Sequence, residues 1–244
     1  PKNLALSIQC DPVRHTQHME AAYLQAWNLK FPDQRITFEN KTTGQKETAV
    51  HLLEKAAHAA REGDLNQAKA LCRKIFKIDP ENIEALNLLG SVHLIEKKYD
   101  TAKECLELVI SVLPNQVNAL NNLGLIYLEC DRNFEAAEAC FKKVLTLEPK
   151  HVNALMNLGN LHRALHQLES ARASYKKALD LDPENGSLLN NLGSLYAKTG
   201  QFSEAAACYQ QALISMPDKP EILSNLITMN RTLGENEAAL ALIP

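Results

Sequence analysis

A closing proline recurs along this chain at Pro80, Pro114, Pro149, Pro183 and Pro217, in steps of 34, 35, 34 and 34 residues. A Leu-Gly pair keeps the same pace, at Leu89-Gly90, Leu123-Gly124, Leu158-Gly159 and Leu192-Gly193. No other feature constrains the fold as tightly. Within the period from Val117 to Pro149, Leu120, Leu123 and Tyr127 fall at i, i+3 and i+7, one apolar helical stripe. After the polar Asp131-Arg132-Asn133, Ala137, Phe141 and Val144 make a second stripe. Pro149 ends it, since proline cannot continue a helix. The unit reads helix, turn, helix, stop. A fixed period of ~34 residues with two helices per period predicts an all-α solenoid of antiparallel helix pairs. Each pair would bury its stripes only against its neighbours.

The positions between the two signals carry a resemblance. A Leu-Gly pair, an aromatic three residues on, then Ala, an aromatic four later, Ala and a closing Pro are Leu192, Gly193, Tyr196, Ala205, Tyr209, Ala212 and Pro217 in the fifth unit. The fourth unit has Leu158, Gly159, His162, Ala171, Tyr175, Ala178 and Pro183, with His in place of the first aromatic. This pattern resembles the tetratricopeptide repeat family. The resemblance implies a right-handed superhelical solenoid whose first helices line the inner, concave surface.

Residues 47–244 are accordingly expected to form that solenoid, as five full repeats and a partial sixth. Residues 1–46 do not fit the period. They are expected as a degenerate helical N-terminal cap and a polar linker. Met19, Tyr23, Ala26 and Trp27 mark an amphipathic face before Pro32, and Asp33 to Lys46 is polar with a Thr-Thr-Gly cluster. Arg35 to Glu39 admits a short strand instead. The chain opens on Pro1 and stops at Pro244, early in the second helix of the sixth unit. That pattern predicts a fragment of a longer chain, and open solenoid ends allow self-association.

Composition bounds the function. A net charge of −3 offers no basic surface to nucleic acid. No run approaches the ~18 apolar residues of a membrane span, so no membrane insertion is expected. The six cysteines form no C-x-x-C motif. Cys72, Cys105, Cys140 and Cys208 sit at or beside the core position of their second helices. They read as small buried hydrophobes in a reducing, cytoplasmic compartment. His162 and His166 have metal-binding spacing, but one stands at a core position and the other at a turn, with no third ligand near, so no metal is expected. No cofactor-binding or catalytic motif occurs, and the chain itself is expected to be no enzyme. Charged pairs such as Glu96-Lys97 read as solvated faces. The N-x-S/T triplets at Asn40, Asn185 and Asn230 are no more than the abundance of Asn produces.

The stripe offset from the packing residues of each first helix is the candidate binding surface. It holds Asn118, Asn122, Leu125 and Glu129 in the third unit, Asn153, Asn157, Asn160 and Ala164 in the fourth, and Ser187, Asn191, Ser194 and Lys198 in the fifth. Asn225 continues it in the sixth. Asn precedes the Leu in four successive units, at Asn122, Asn157, Asn191 and Asn225. Asn inside a helix costs several tenths of a kcal/mol relative to Ala, which asks for a reason. Amides match a peptide main chain of any sequence, so the row predicts a protein or peptide ligand held extended in the groove. It is similar to the asparagine ladder in the repeat arm of O-GlcNAc transferases. That similarity implies an alternative, a substrate-recognition arm of a larger glycosyltransferase or sulfotransferase. A grip on a terminal carboxylate would need Lys and Arg along the stripe, and only Lys198 stands on it. The offset predicts that these amides face solvent in the free protein.

Overall fold

The computed structural model describes residues 43–241. They form twelve helices, with no strand among the described residues: α1 Thr43–Arg61, α2 Leu65–Ile78, α3 Ile83–Ile95, α4 Tyr99–Val112, α5 Val117–Glu129, α6 Phe134–Leu147, α7 Val152–Ala164, α8 Leu168–Leu179, α9 Gly186–Lys198, α10 Phe202–Ser215, α11 Pro220–Thr232 and α12 Asn236–Ala241. The cap and possible strand read in residues 1–42, and Cys10 with them, lie outside the described residues. Helix α1 opens at Thr43, so Thr43–Lys46 belong to it rather than to a linker. Polar composition suggested a loop there, but Gln45 and Lys46 are good helix formers and extend a packed helix at little cost.

The chain divides into two compact units, Pro1–Asn122 and Leu123–Pro244, with the boundary inside α5. In the first, α1 packs on α2 and α3, α2 on α3, and α3 on α4. Ala68, Cys72, Ile75, Ala85, Leu86, Ala102, Leu106 and Val109 are buried there. The small alanines let neighbouring helices approach closely. Asp64 caps α2 through Gln67 N at 2.9 Å, and Asn82 caps α3 through Ala85 N at 2.8 Å. Glu96 is not the solvated charge its sequence neighbours suggested. Its side chain is 16% exposed, bonded to Lys69 and, at 2.9 Å, to Lys98. The two ammonium groups hold its carboxyl down at about 2. The stability this adds is complete above the ordinary carboxylate range and is lost as pH falls toward 2. Charge pairing between α2 and the end of α3 outweighs the hydration that periodicity alone would assign.

In the second unit α6 packs on α7, α7 on α8, α8 on α9, α9 on α10, α10 on α11, and α11 on α12. Phe141, Tyr175 and Tyr209, one per repeat, fill the space between paired helices. Their rings lie against Gly124, Gly159 and Gly193 of the first helices. His151 caps α7 through Ala154 N at 3.1 Å, and Asn185 caps α9 through Leu188 N at 3.1 Å. Asn230 is 1% exposed. Two of the three N-x-S/T asparagines therefore have architectural places. The turn between paired helices takes a left-handed residue: Gly200 and Gly234 where glycine is present, Arg132 and His166 where it is not. The extra residue of the third repeat is accommodated in that turn.

The cysteines Cys72, Cys105, Cys130, Cys140 and Cys208 are thiols, none in a disulfide. Cys72 and Cys105 are buried, whereas Cys140 and Cys208 are only half-buried. They stand one residue to the side of the core position, at the edge of the helix contact. Burial pushes the Cys72 thiol up to about 12 and raises Cys140 and Cys208 as well. Native labelling with iodoacetamide, followed by peptide mapping, should modify exposed Cys130 first and Cys72 and Cys105 last, because the thiolate is the reacting form. Cys72 labelling as fast as Cys130 would contradict this packing.

Candidate functional site

The offset stripe of the first helices is where repeat geometry exposes chemistry without disturbing the core. In the first unit Asn118 is exposed and Asn122 half-buried, its Nδ2 donating to Ser91 Oγ at 3.0 Å. In the second unit α7, α9 and α11 carry the stripe. Asn153, Ser187 and Lys198 are exposed, while Asn160, Asn191, Ser194 and Asn225 are half-buried.

The asparagines before each Leu do not simply face solvent. Asn157 is 4% exposed. Asn191 donates from Nδ2 to Asn160 Oδ1 at 3.2 Å, and Asn225 from Nδ2 to Asn190 Oδ1 at 3.5 Å. The reason is the close approach of successive first helices such as α7 and α9, which puts this position on the seam between them. A polar side chain on a seam stays only if bonded there. The row is therefore partly structural. Its members offer a ligand only the halves of their amides that the seam leaves open.

Two groups that patterning placed in the core also reach the stripe. Tyr175 comes from α8 and Tyr209 from α10. Each ring crosses beneath its glycine, and the hydroxyl bonds the residue after that glycine. Tyr175 donates to Asn160 Oδ1 at 2.7 Å, and Tyr209 to Ser194 Oγ at 3.2 Å. Burial raises the pKa of both phenols, so both keep their protons at neutral pH. The sequence held a signal for this pairing. The residue after glycine is polar where the aromatic carries a hydroxyl (Asn160 with Tyr175, Ser194 with Tyr209) and apolar where it does not (Leu125 with Phe141).

His162 is half-buried, with Nδ1 3.3 Å from Ser174 Oγ, and burial lowers its pKa. It is a core residue, while His166 stands at the turn. Among the described residues no group of three His, Cys, Asp or Glu could hold a metal ion. No helix among them is long and apolar enough to cross a membrane.

Comparison with known proteins agrees with this architecture. Tetratricopeptide repeat profiles match residues 59–124, 117–151 and 186–219, and a TPR repeat profile matches residues 159–200. Comparison with curated protein sequences yields no match. Among solved structures, PilF of Pseudomonas aeruginosa is similar at 21% identity over 82% of this chain and 90% of that one, with a TM-score of 0.69. PilW, a type IV pilus biogenesis factor, gives 22% identity over 80% and 90%, with a TM-score of 0.70. A thermophilic TPR protein of Thermus thermophilus gives 21% identity over 74% and 98%, with a TM-score of 0.64. At these identities the likeness shows a shared fold of paired helices. With the Leu-Gly and Pro spacing and the ring-on-glycine packing of each repeat, these matches identify the chain as a member of the tetratricopeptide repeat family.

Proposed function

We propose that this chain is a protein-interaction scaffold that holds an extended peptide segment of a partner on the first-helix face of the unit Leu123–Pro244. Asn160, Asn191, Ser194 and Asn225 form the centre of the face, with Asn153, Ser187 and Lys198 around them and Asn157 buried behind it. Asn118 and Asn122 offer the same chemistry in the preceding unit. The observation that carries the reading is the bond from Asn191 to Asn160. It orders two half-exposed amides and leaves each with unused hydrogen-bonding capacity at the surface. Ordered, uncharged amides suit a peptide main chain, because they add little specificity for side chains and lose little entropy on binding. The recurrence of the amide row also supports a narrower reading, the substrate-recognition arm of a transferase. A retained peptide set rich in Ser and Thr would favour it.

The test is selection of a random dodecapeptide library on the purified protein, followed by calorimetry on a retained peptide. Asn160→Ala with Asn191→Ala should weaken binding about tenfold, since each net hydrogen bond contributes ~0.5–1.5 kcal/mol. The same change should lower stability slightly, through loss of the seam bond. Unchanged affinity in the double variant would remove the face from the binding site. Failure of the protein to retain any peptide would defeat the reading itself.

A further inference from the structure

An asparagine amide is nearly symmetric in shape, so nothing in the side chain itself decides which end meets a ligand. On this face the decision is made from behind. Tyr175 is fully buried, and its ring is fixed against Gly159. Burial keeps the phenol protonated, so its hydroxyl has a hydrogen to give. That hydrogen goes to Asn160, whose facing atom is the carbonyl oxygen, 2.7 Å away. Asn191 Nδ2 converges on that oxygen at 3.2 Å. The open half of Asn160 is therefore its NH2 group, and the open half of Asn191 includes its carbonyl oxygen.

The next repeat follows the same logic. Tyr209 donates to Ser194 Oγ at 3.2 Å, and Ser194 donates its own hydrogen to the carbonyl of Asn190 at 2.9 Å. Ser194 has only lone pairs left to offer. Donors thus face outward from α7, and acceptors from α9.

We propose that Tyr175 is a positioning residue that sets the polarity of this face, Asn160 presenting donors and Asn191 with Ser194 presenting acceptors. The inference rests on the peptide-binding reading above and sharpens it. In an extended strand the N–H and C=O of one residue point to the same side, as in a ladder pair. A donor beside an acceptor matches that edge, with the ligand carbonyl on Asn160 and its N–H on Asn191 or Ser194.

Two measurements decide it. The first needs no ligand: hydrogen exchange of the 15N-labelled side-chain amides. The Asn191 NH2 should hold one slowly exchanging proton, the Asn160 NH2 should exchange freely, and Tyr175→Phe should erase the difference while leaving the ring in place. A protected Asn160 NH2 beside a freely exchanging Asn191 NH2 overturns the proposal, whether or not peptides bind. The second uses a dodecapeptide retained in the selection above. Asn160→Asp keeps an acceptor for Tyr175 and Asn191 but replaces the outward donor with an acceptor. Affinity should fall more than tenfold with the melting temperature held, and Tyr175→Phe should cost about threefold. Wild-type affinity in Asn160→Asp would sink the polarity assignment. If no peptide is retained at all, the peptide reading fails while the exchange pattern still tests the relay.

Discussion

Phe141→Ala is expected to lower the free energy of unfolding by about 3–5 kcal/mol, the range for removing a buried aromatic ring. Phe141 is fully buried and clusters with Leu128, Ala137 and Leu161, with Tyr127, Phe134 and Leu158 packed around them. These residues come from α5, α6 and α7, so one ring holds the third repeat together and seats the fourth upon it. In a stack whose stability is a sum of repeat and neighbour contributions, losing both at one residue has an outsized effect. Urea unfolding followed by circular dichroism measures it. A loss below about 1 kcal/mol would mean that the helices close over the gap. Phe141→Tyr provides the companion test. Its hydroxyl would emerge beside the position of Leu125, which offers no acceptor, and an unmet buried hydroxyl costs about 1–3 kcal/mol. Adding Leu125→Asn should recover most of that loss, because it rebuilds the pairing that Tyr175 makes with Asn160.

That companion test marks the limit of what the sequence disclosed. The period and its two stripes specify helix number, pairing and core, because burial in a repeat stack is periodic and periodicity is visible in one chain. Helix starts were not read from the sequence, although the short polar residues Asp64, Asn82 and Asn185 each cap one. Thr43–Lys46 was misread because composition describes average loops, whereas a packed helix extends into polar sequence freely. The amide row was visible as a recurrence, but not its state. Exposure of Asn157 and Asn191 depends on how closely successive first helices approach, a distance set by the small residues of both repeats and by no single stripe. The tyrosine hydroxyls were hidden for a different reason. A core aromatic was counted as apolar, although its oxygen lies far enough along the ring to leave the core on the opposite side. Reading Tyr against Phe beside the residue after glycine would have exposed the link.

Gly124→Ala tests the other side of the same contact, and two effects oppose each other in it. Alanine is the better helix former by about 1 kcal/mol, so in an open helix the change would stabilise. Here a Cβ would stand 2.5 Å from Phe141 Cε1 and 2.9 Å from Cδ1. The ring cannot yield, since it is fully buried and wedged among Leu128, Ala137 and Leu161. Relief would require α5 and α6 to move apart, and overpacking of that kind costs about 1–3 kcal/mol, sometimes more. With an overlap this deep, overpacking should win and leave a net loss of about 2 kcal/mol after the propensity gain. Gly200 offers the control for crowding: its own Cβ would meet no atom within 4 Å, so Gly200→Ala would report only the strain of its φ of +78°. The decisive measurement is a double-mutant cycle with Phe141→Leu, a smaller side chain without the offending edge. If steric overlap is the cause, Gly124→Ala should cost far less in the Phe141→Leu background than in the wild type, giving a coupling above 1 kcal/mol. Equal costs in both backgrounds would mean that the glycine serves the helix backbone itself, and that the ring merely rests where the glycine left room.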